Sequence, residues 1–199
     1  MSVRSELALI SEWIHPGTRV LDLGCGEGQL LRYLRDTRDV IGYGLEIAPE
    51  NIVSCVEKDI PVIQTNLDEG LKDFDPLSFD YVVMTQTLQA VRYPEHLLNE
   101  MLRVGREGIV TFSNLGHWRS RLRLALSGRM PVSGDPALDW YNSPNIHLCT
   151  VRDFEALCED TGIRILERTF IDNAHRKHGL ARVFPNLLGE VALYRFERA

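Results

Sequence analysis

The chain has 199 residues, 44% of them hydrophobic and 25% charged, which is ordinary globular composition with ample apolar material for a core. Its 22 basic and 28 acidic residues leave a net charge of −6, a balance that disfavours general nucleic-acid binding and adsorption to an anionic membrane. No apolar run approaches the roughly 20 residues that span a bilayer, and Leu7–Ile10, bounded by Arg4, Glu6, Ser11 and Glu12, lacks the form of a signal peptide. Cys25, Cys55, Cys149 and Cys158 contain no C-x-x-C pair. Reduced thiols in the cytoplasm are therefore expected, with neither a disulfide framework nor a metal site.

In chain order, Leu7–Ile14 reads as a short amphipathic helix stopped by His15-Pro16-Gly17. Arg19–Leu23 is a mostly apolar run ending in glycines, as expected of a buried parallel strand. Leu30, Leu31 and Leu34 recur at helical spacing, so a helix follows the strand. Val40–Ile47 reads as a second strand, Pro49–Lys58 as a second helix and Pro61–Gln64 as a brief third strand. Asp80–Met84 is a fourth strand, in which Val82 and Val83 should be buried on both faces of a covered sheet. A helix over Leu97–Val104 and a strand over Gly108–Phe112 complete the alternation, which implies a doubly wound α/β sheet.

The last third is looser. Between Asn114 and Asn145, Pro131, Pro136, Pro144 and several glycines mark an irregular insertion holding one short helix near Trp118–Leu126. Val151–Thr161 reads as a helix with Thr150 as its cap, followed by strands at Arg164–Thr169 and Glu190–Phe196 joined by a polar loop over Asn173–Asn186. The whole chain, 1–199, reads as a single domain of about seven mostly parallel strands, with its insertion over about 114–149.

The strongest motif is Asp22-Leu23-Gly24-Cys25-Gly26-Glu27-Gly28 at the first strand-to-helix turn. Glycine lacks a Cβ and lets a ligand approach the backbone closely. The dinucleotide fingerprint G-x-G-x-x-G would need glycine at position 29, where the chain has Gln29. An acid two residues before the first glycine would repel a pyrophosphate but can hold an ammonium, directly or through water. Glu46 ends the second strand eighteen positions after Gly28, where a carboxylate can accept two hydrogen bonds from a ribose diol. After the third strand, Asn66 can meet an adenine edge while Leu67 packs on the ring, or the segment is an ordinary turn. Thr85-Gln86-Thr87 ends the fourth strand, beside the point where such sheets reverse their strand order.

Together these residues resemble the class I S-adenosylmethionine-dependent methyltransferases, with a Rossmann-like fold, over about residues 15–115. The resemblance implies S-adenosylmethionine or S-adenosylhomocysteine as cofactor, with Asp22, Gly24 and Gly26 beside the methionine moiety, Glu46 on the ribose and Asn66 with Leu67 at the adenine. Cys25, Gly28, Ile47 and Gln86 are the remaining cofactor-binding candidates. A closer resemblance covers nearly the whole chain. Leu88-Gln89-Ala90, Met101–Val110, Phe112–Arg119, Gly128–Val132, Trp140-Tyr141 and Pro144–Thr150 resemble the methionine biosynthesis family MetW. That family implies a role in methionine synthesis beside a homoserine O-acyltransferase of α/β-hydrolase fold, whose acyl group is acetyl or succinyl, with neither nucleic acid nor membrane as partner.

The residues themselves bear on whether this is a catalyst or a partner. Acyl transfer needs an activated nucleophile, and the chain has no G-x-S-x-G elbow. Methyl transfer needs no fixed motif, because the sulfonium is already activated and orientation can suffice. The chain lacks the Asn/Asp-Pro-Pro-aromatic motif after strand four, which argues against amino methylation of DNA or of protein glutamine. His117, Tyr141 and His147 are either acceptor-side groups or packed residues of the insertion. Trp118, Leu122 and Leu126 share one helical face and Arg119 and Arg123 another, giving either a core stripe or a docking surface. Arg176-Lys177-His178 reads as a solvated loop. Two functions stand: a partner that binds and activates homoserine O-acyltransferase, and a methyltransferase acting on a small molecule.

Overall fold

The computed structural model describes residues 3–132, 139–171 and 183–199, with side chains from Glu6 onward. The elements run α1 (Val3–Trp13), β1 (Arg19–Leu23), α2 (Gln29–Arg38), β2 (Ile41–Glu46), α3 (Pro49–Glu57), β3 (Val62–Gln64), β4 (Phe79–Thr85), α4 (Pro94–Val104) and β5 (Gly105–Ser113). They continue as α5 (Trp118–Ser127), α6 (Val151–Asp160), β6 (Ile163–Ile171), α7 (Pro185–Leu188) and β7 (Val191–Arg198). The seven strands form one sheet in the order β3-β2-β1-β4-β5-β7-β6. All pairings are parallel except those of β7, which runs antiparallel to both β5 and β6.

Strand alternation divides the core in two. Leu21 and Leu23 of β1 and Val82 and Met84 of β4 face a layer that holds Leu98 and Met101 of α4 and Phe154 of α6. Val20, Tyr81 and Val83 face the opposite layer, where Ile10 of α1 and Leu30, Leu31 and Leu34 of α2 close the other side. Val82 and Val83 are both fully buried, as a strand covered on two faces requires. On the first face Phe112, Phe154 and Tyr194 stack within 6.0 Å of one another, the Tyr194 hydroxyl donating to Glu155 Oε1 at 2.8 Å.

The observed boundaries depart from the sequence reading where polar residues sit inside strands. β5 starts three residues earlier than Gly108, because Gly105 and Glu107 already pair with Phe79 and Tyr81 and Glu107 meets Arg195 at 3.4 Å. β6 extends to Ile171, which pairs with Val191. α4 begins at Pro94, where a proline lacking N–H costs no helical bond. Pro185 opens α7 in the same way, within the stretch read as loop. Residues 173–182 of that loop, with Arg176-Lys177-His178, lie outside the described residues.

Two buried residues hold the insertion to the sheet, Asn114 through its side chain and Gln89 through its main-chain carbonyl. Asn114 (3% exposed) donates through Nδ2 to the Gly189 carbonyl at 2.7 Å and the Asn186 carbonyl at 3.3 Å. Its Oδ1 accepts from the Gly116 amide at 2.9 Å and the Val151 amide at 3.2 Å, so one side chain joins both ends of the insertion to the approach of β7. Gln89 takes the Ile146 and His147 amides on its carbonyl, each at 2.9 Å. The expected cap at Thr150 is a reciprocal capping box with Asp153.

Asn114→Ala strands two buried amides and removes a donor from two carbonyls. The expected loss is about 2–4 kcal/mol of unfolding free energy, at 1–3 kcal/mol for each buried group left unpaired. Urea denaturation checks this, and an unchanged midpoint would remove Asn114 as the anchor.

Candidate functional site

The strand order reverses between the parallel neighbours β1 and β4, so the loops after these strands diverge and leave a cleft above their C-terminal ends. The cleft measures about 330 Å³ and is lined by Gly24, Leu45, Glu46, Ile47, Thr65, Asn66, Leu67, Asp68, Thr87, Ala90 and Val91. That is within the size range of small-molecule sites, roughly 300–1,000 Å³.

The first wall is the glycine loop. Gly24, Gly26 and Gly28 have φ of 70°, 53° and 72°, in the left-handed region that a Cβ disfavours. The Gly24 and Cys25 amides both donate to the Leu45 carbonyl, at 2.8 and 3.0 Å, which ties the loop to the end of β2. A Cβ at Gly24 would stand 2.6 Å from Thr87 Oγ1, so glycine is also needed for the β1 and β4 loops to approach. A Cβ at Gly26 would meet open space. Gly28 precedes α2 and packs toward Cys55 and Ile60, behind the cleft.

Glu46 organises the second wall. Its Oε2 accepts from the Gly26 amide at 2.8 Å, and its Oε1 from the Ile47 and Ala48 amides at 2.8 and 2.9 Å. One carboxylate thus joins the glycine loop to the turn leading into α3, and Ile47 stands exposed at the rim. On the third wall, Asn66 Oδ1 accepts from the Asp68 amide at 3.1 Å and caps a single 3₁₀ turn over Leu67–Glu69. Asp68 accepts from the Arg92 amide at 2.8 Å, linking this wall to the loop after β4.

Beneath the loop lies Asp22, on the sheet face that α1 and α2 cover, with register partners Gly44 and Val83. It is 1% exposed, and neither carboxylate oxygen has a hydrogen-bond partner. Burial, with the charge of Glu46 adding to it, pushes its pKa up to about 7. Cys25 and Cys55 place their sulfurs 4.0 Å apart behind the loop, and Cys55 donates to the Gly26 carbonyl at 3.2 Å. Burial pushes both thiols up, and the neighbouring charge of Asp22 adds to the rise, so neither is an activated nucleophile.

Of the ten cofactor candidates, Gly24, Glu46, Ile47, Asn66 and Leu67 line the cleft, while Gly26 reaches it through Glu46. Asp22, Cys25 and Gly28 lie under or behind the loop. Gln86 sits beside the cleft with a φ of 54°, its amide donating to the Thr111 carbonyl at 3.0 Å and its side chain bonded to Thr111 and Ser113 of β5. Thr87 takes the lining position instead. Sequence reasoning named the segment Thr85-Gln86-Thr87 but took Gln86 from it, and it did not assign Thr65, Asp68, Ala90 or Val91 to the site. Their positions follow from loop paths, and only their place after strand ends signals them. His117, Tyr141 and His147 do not line this cleft: His117 is buried at the start of α5, Tyr141 is exposed, and His147 Nε2 lies 3.2 Å from the Arg92 carbonyl.

This sheet order with its cleft defines the class I S-adenosylmethionine-dependent methyltransferase fold, and the solved structures agree. An S-adenosylmethionine-dependent methyltransferase from Mesorhizobium loti superposes with a TM-score of 0.71 at 16% identity, covering 98% of each chain. A chain from the complex between the Haloferax volcanii Trm112 methyltransferase activator and the putative methyltransferase gives 0.68 at 19% identity, covering 99% of this chain and 91% of its own. Residues 4–196 match the family described as Methionine biosynthesis protein MetW, and the chain belongs to that family. The Bifunctional methionine biosynthesis protein MetXA/MetW of Rhodopirellula baltica is 38% identical over 198 residues, 95% of this chain. The chain spans 32% of that relative's length. Among the described residues, no helix is long and apolar enough to cross a membrane.

The raised pKa of Asp22 gives a pH signature. Between its ordinary value of 3.8 and about 7, the folded chain keeps a proton that the unfolded chain has released. Stability therefore falls as pH rises through that window and levels off above it. Asp22→Asn removes the titration. It is expected to flatten the decline between about pH 5 and about pH 8 and to stabilise the upper end by on the order of 2 kcal/mol. Urea unfolding of both proteins across that range checks this, and parallel curves would contradict a buried, neutralised Asp22.

Proposed function

We propose that this protein binds S-adenosylmethionine or its demethylated product in the β1–β4 cleft and acts in methionine synthesis by binding and activating a homoserine O-acyltransferase. The single observation that carries the partner role is the relative whose name joins MetXA to MetW in one chain, with this sequence matching about a third of it. Fusion keeps two activities at high effective concentration, which is advantageous when they work in contact. The chain has no nucleophile elbow of its own, so the acyl chemistry is assigned to the partner.

The residues fit the cofactor. A buried carboxylate with no partner, Asp22, suits a ligand ammonium reached directly or through water. Open space over Gly26 admits a ligand against the backbone. Glu46 holds the loop and keeps one Oε2 lone pair for a ribose hydroxyl, while Asn66 and Leu67 form the wall assigned to the adenine. When bound, the sulfonium supplies an activated methyl group. Glu46 and Asp68 are the carboxylates lining the cleft, and both already accept backbone amides, so neither stands ready as a general base.

Glu46→Ala is expected to weaken S-adenosylhomocysteine binding roughly 10-fold or more, since hydrogen bonds to a charged group contribute about 1.5–3 kcal/mol. Calorimetry on the purified protein reads this, and an unchanged affinity would move the ligand elsewhere.

For the partner role, acylation rate is measured as this protein is titrated into purified acyltransferase. The rate should rise by about 10-fold or more, which needs about 1.4 kcal/mol tighter binding to the competent state than to the idle one. A flat titration with no complex on gel filtration would overturn the proposal, and methyl release from S-adenosylmethionine with cell extract would then put the methyltransferase reading in front.

A further inference from the structure

Among the described helices of eight or more residues, α3 buries only Cys55 and α5 buries no residue at all. α2 buries Leu30, Leu31 and Leu34, α4 buries five residues and α6 buries three, whereas α5 buries none of its ten. An amphipathic helix normally turns its apolar stripe to a core. On α5 Trp118 is 43% exposed, Leu122 46% and Leu126 79%, and Leu124 on the opposite side is 45% exposed, so no face of the helix is covered by the fold. At 100° per residue Trp118, Leu122 and Leu126 lie within one 80° sector, with Arg119 and Arg123 alongside it. Arg119 lies 5.5 Å from the Trp118 ring centroid, and the buried His117 ring lies 5.8 Å from it in a tilted contact. Arg121 donates to the Gly116 carbonyl at 2.6 Å and fixes the start of the helix.

The charge around this stripe selects its occupant. Residues 108–134 contain four arginines (Arg119, Arg121, Arg123 and Arg129) and no acidic residue, in a chain whose net charge is −6. Among the described residues, neither Arg119 nor Arg123 forms an ion pair. A second copy of the chain docking through a two-fold axis would set these arginines against each other, and like charges in contact are unfavourable. A partner with an apolar patch rimmed by carboxylates satisfies both features. The relative whose name joins MetXA to MetW places a candidate partner in the same polypeptide as a sequence like this one.

We infer that α5 is the face that docks the acyltransferase, with Trp118, Leu122 and Leu126 entering an apolar patch of the partner and Arg119 and Arg123 meeting acidic side chains at its rim. This rests on the partner reading above and adds the surface through which it works. α5 follows β5 directly and is tied through Asn114 to the body of the fold, so it presents the stripe on a fixed support. Buried aromatic and arginine anchors carry most of the binding energy in protein interfaces, and peripheral charges set the salt dependence.

The test uses the full chain and the purified acyltransferase from the same genome, with affinity read by calorimetry. Leu122→Glu/Leu126→Glu and Arg119→Glu/Arg123→Glu alter exposed positions, so their melting temperature and S-adenosylhomocysteine affinity should match the wild type. Affinity for the acyltransferase should fall about 30-fold or more in the first variant. In the second it should fall and lose its dependence on salt. Tight binding by the wild type with equal binding by both variants would overturn the surface and leave the partner reading standing. No binding by the wild type would overturn both. A wild-type chain that sediments alone as a dimer, and becomes monomeric in the leucine variant, would assign α5 to self-association instead.

Discussion

The cleft depends on one backbone oxygen. The Leu45 carbonyl accepts both the Gly24 and the Cys25 amide, and so binds the turn after β1 to the end of β2. That double bond is possible only because Gly24 turns with a positive φ, and because glycine lets Thr87 close in from the next strand. Once the turn is fixed, the Gly26 amide falls to Glu46, and Glu46 in turn holds the Ile47 and Ala48 amides. The walls of the cleft are thus linked through main-chain groups, which leaves a side-chain substitution few ways to rebuild them.

Asp22 is the cost of this arrangement. A carboxyl group without hydrogen bonds in the interior destabilises the fold whenever it is charged, and its raised pKa expresses that penalty. A hydrophobic residue would suit the packing of β1 better, since Val20 and Val83 occupy the same face. An unpaired buried acid beneath a glycine loop is the kind of stability loss that accompanies binding sites. In the proposed function the ligand's ammonium offsets it.

The insertion shows the opposite economy. Its two ends are gathered by the Asn114 side chain, and its return segment is held by the main-chain carbonyl of Gln89, so a segment rich in proline and glycine joins the sheet at two buried residues. Both ends of the insertion are secured, while α5 buries none of its residues and its leucines are left on the outside. The same pattern of Trp118, Leu122 and Leu126 would have served equally well as a core stripe.

By itself, the sequence determined the order of strands and helices, because hydrophobic periodicity and the glycine turns are local signals. It determined β1 to the residue, and placed Glu46, Asn66 and Leu67 in the walls of the cleft, because strand ends carry ligand positions in this architecture. It did not resolve the polar starts of β5 or the reach of β6, whose pairing partners lie far along the chain. It also did not separate Gln86, turned onto β5, from Thr87, which faces the cleft, since one residue's step along a strand end reverses the side. Whether α5 packed inward or outward was likewise decided only by tertiary structure. Periodicity states that a helix has an apolar face, but what covers that face depends on which other surfaces the fold has already used.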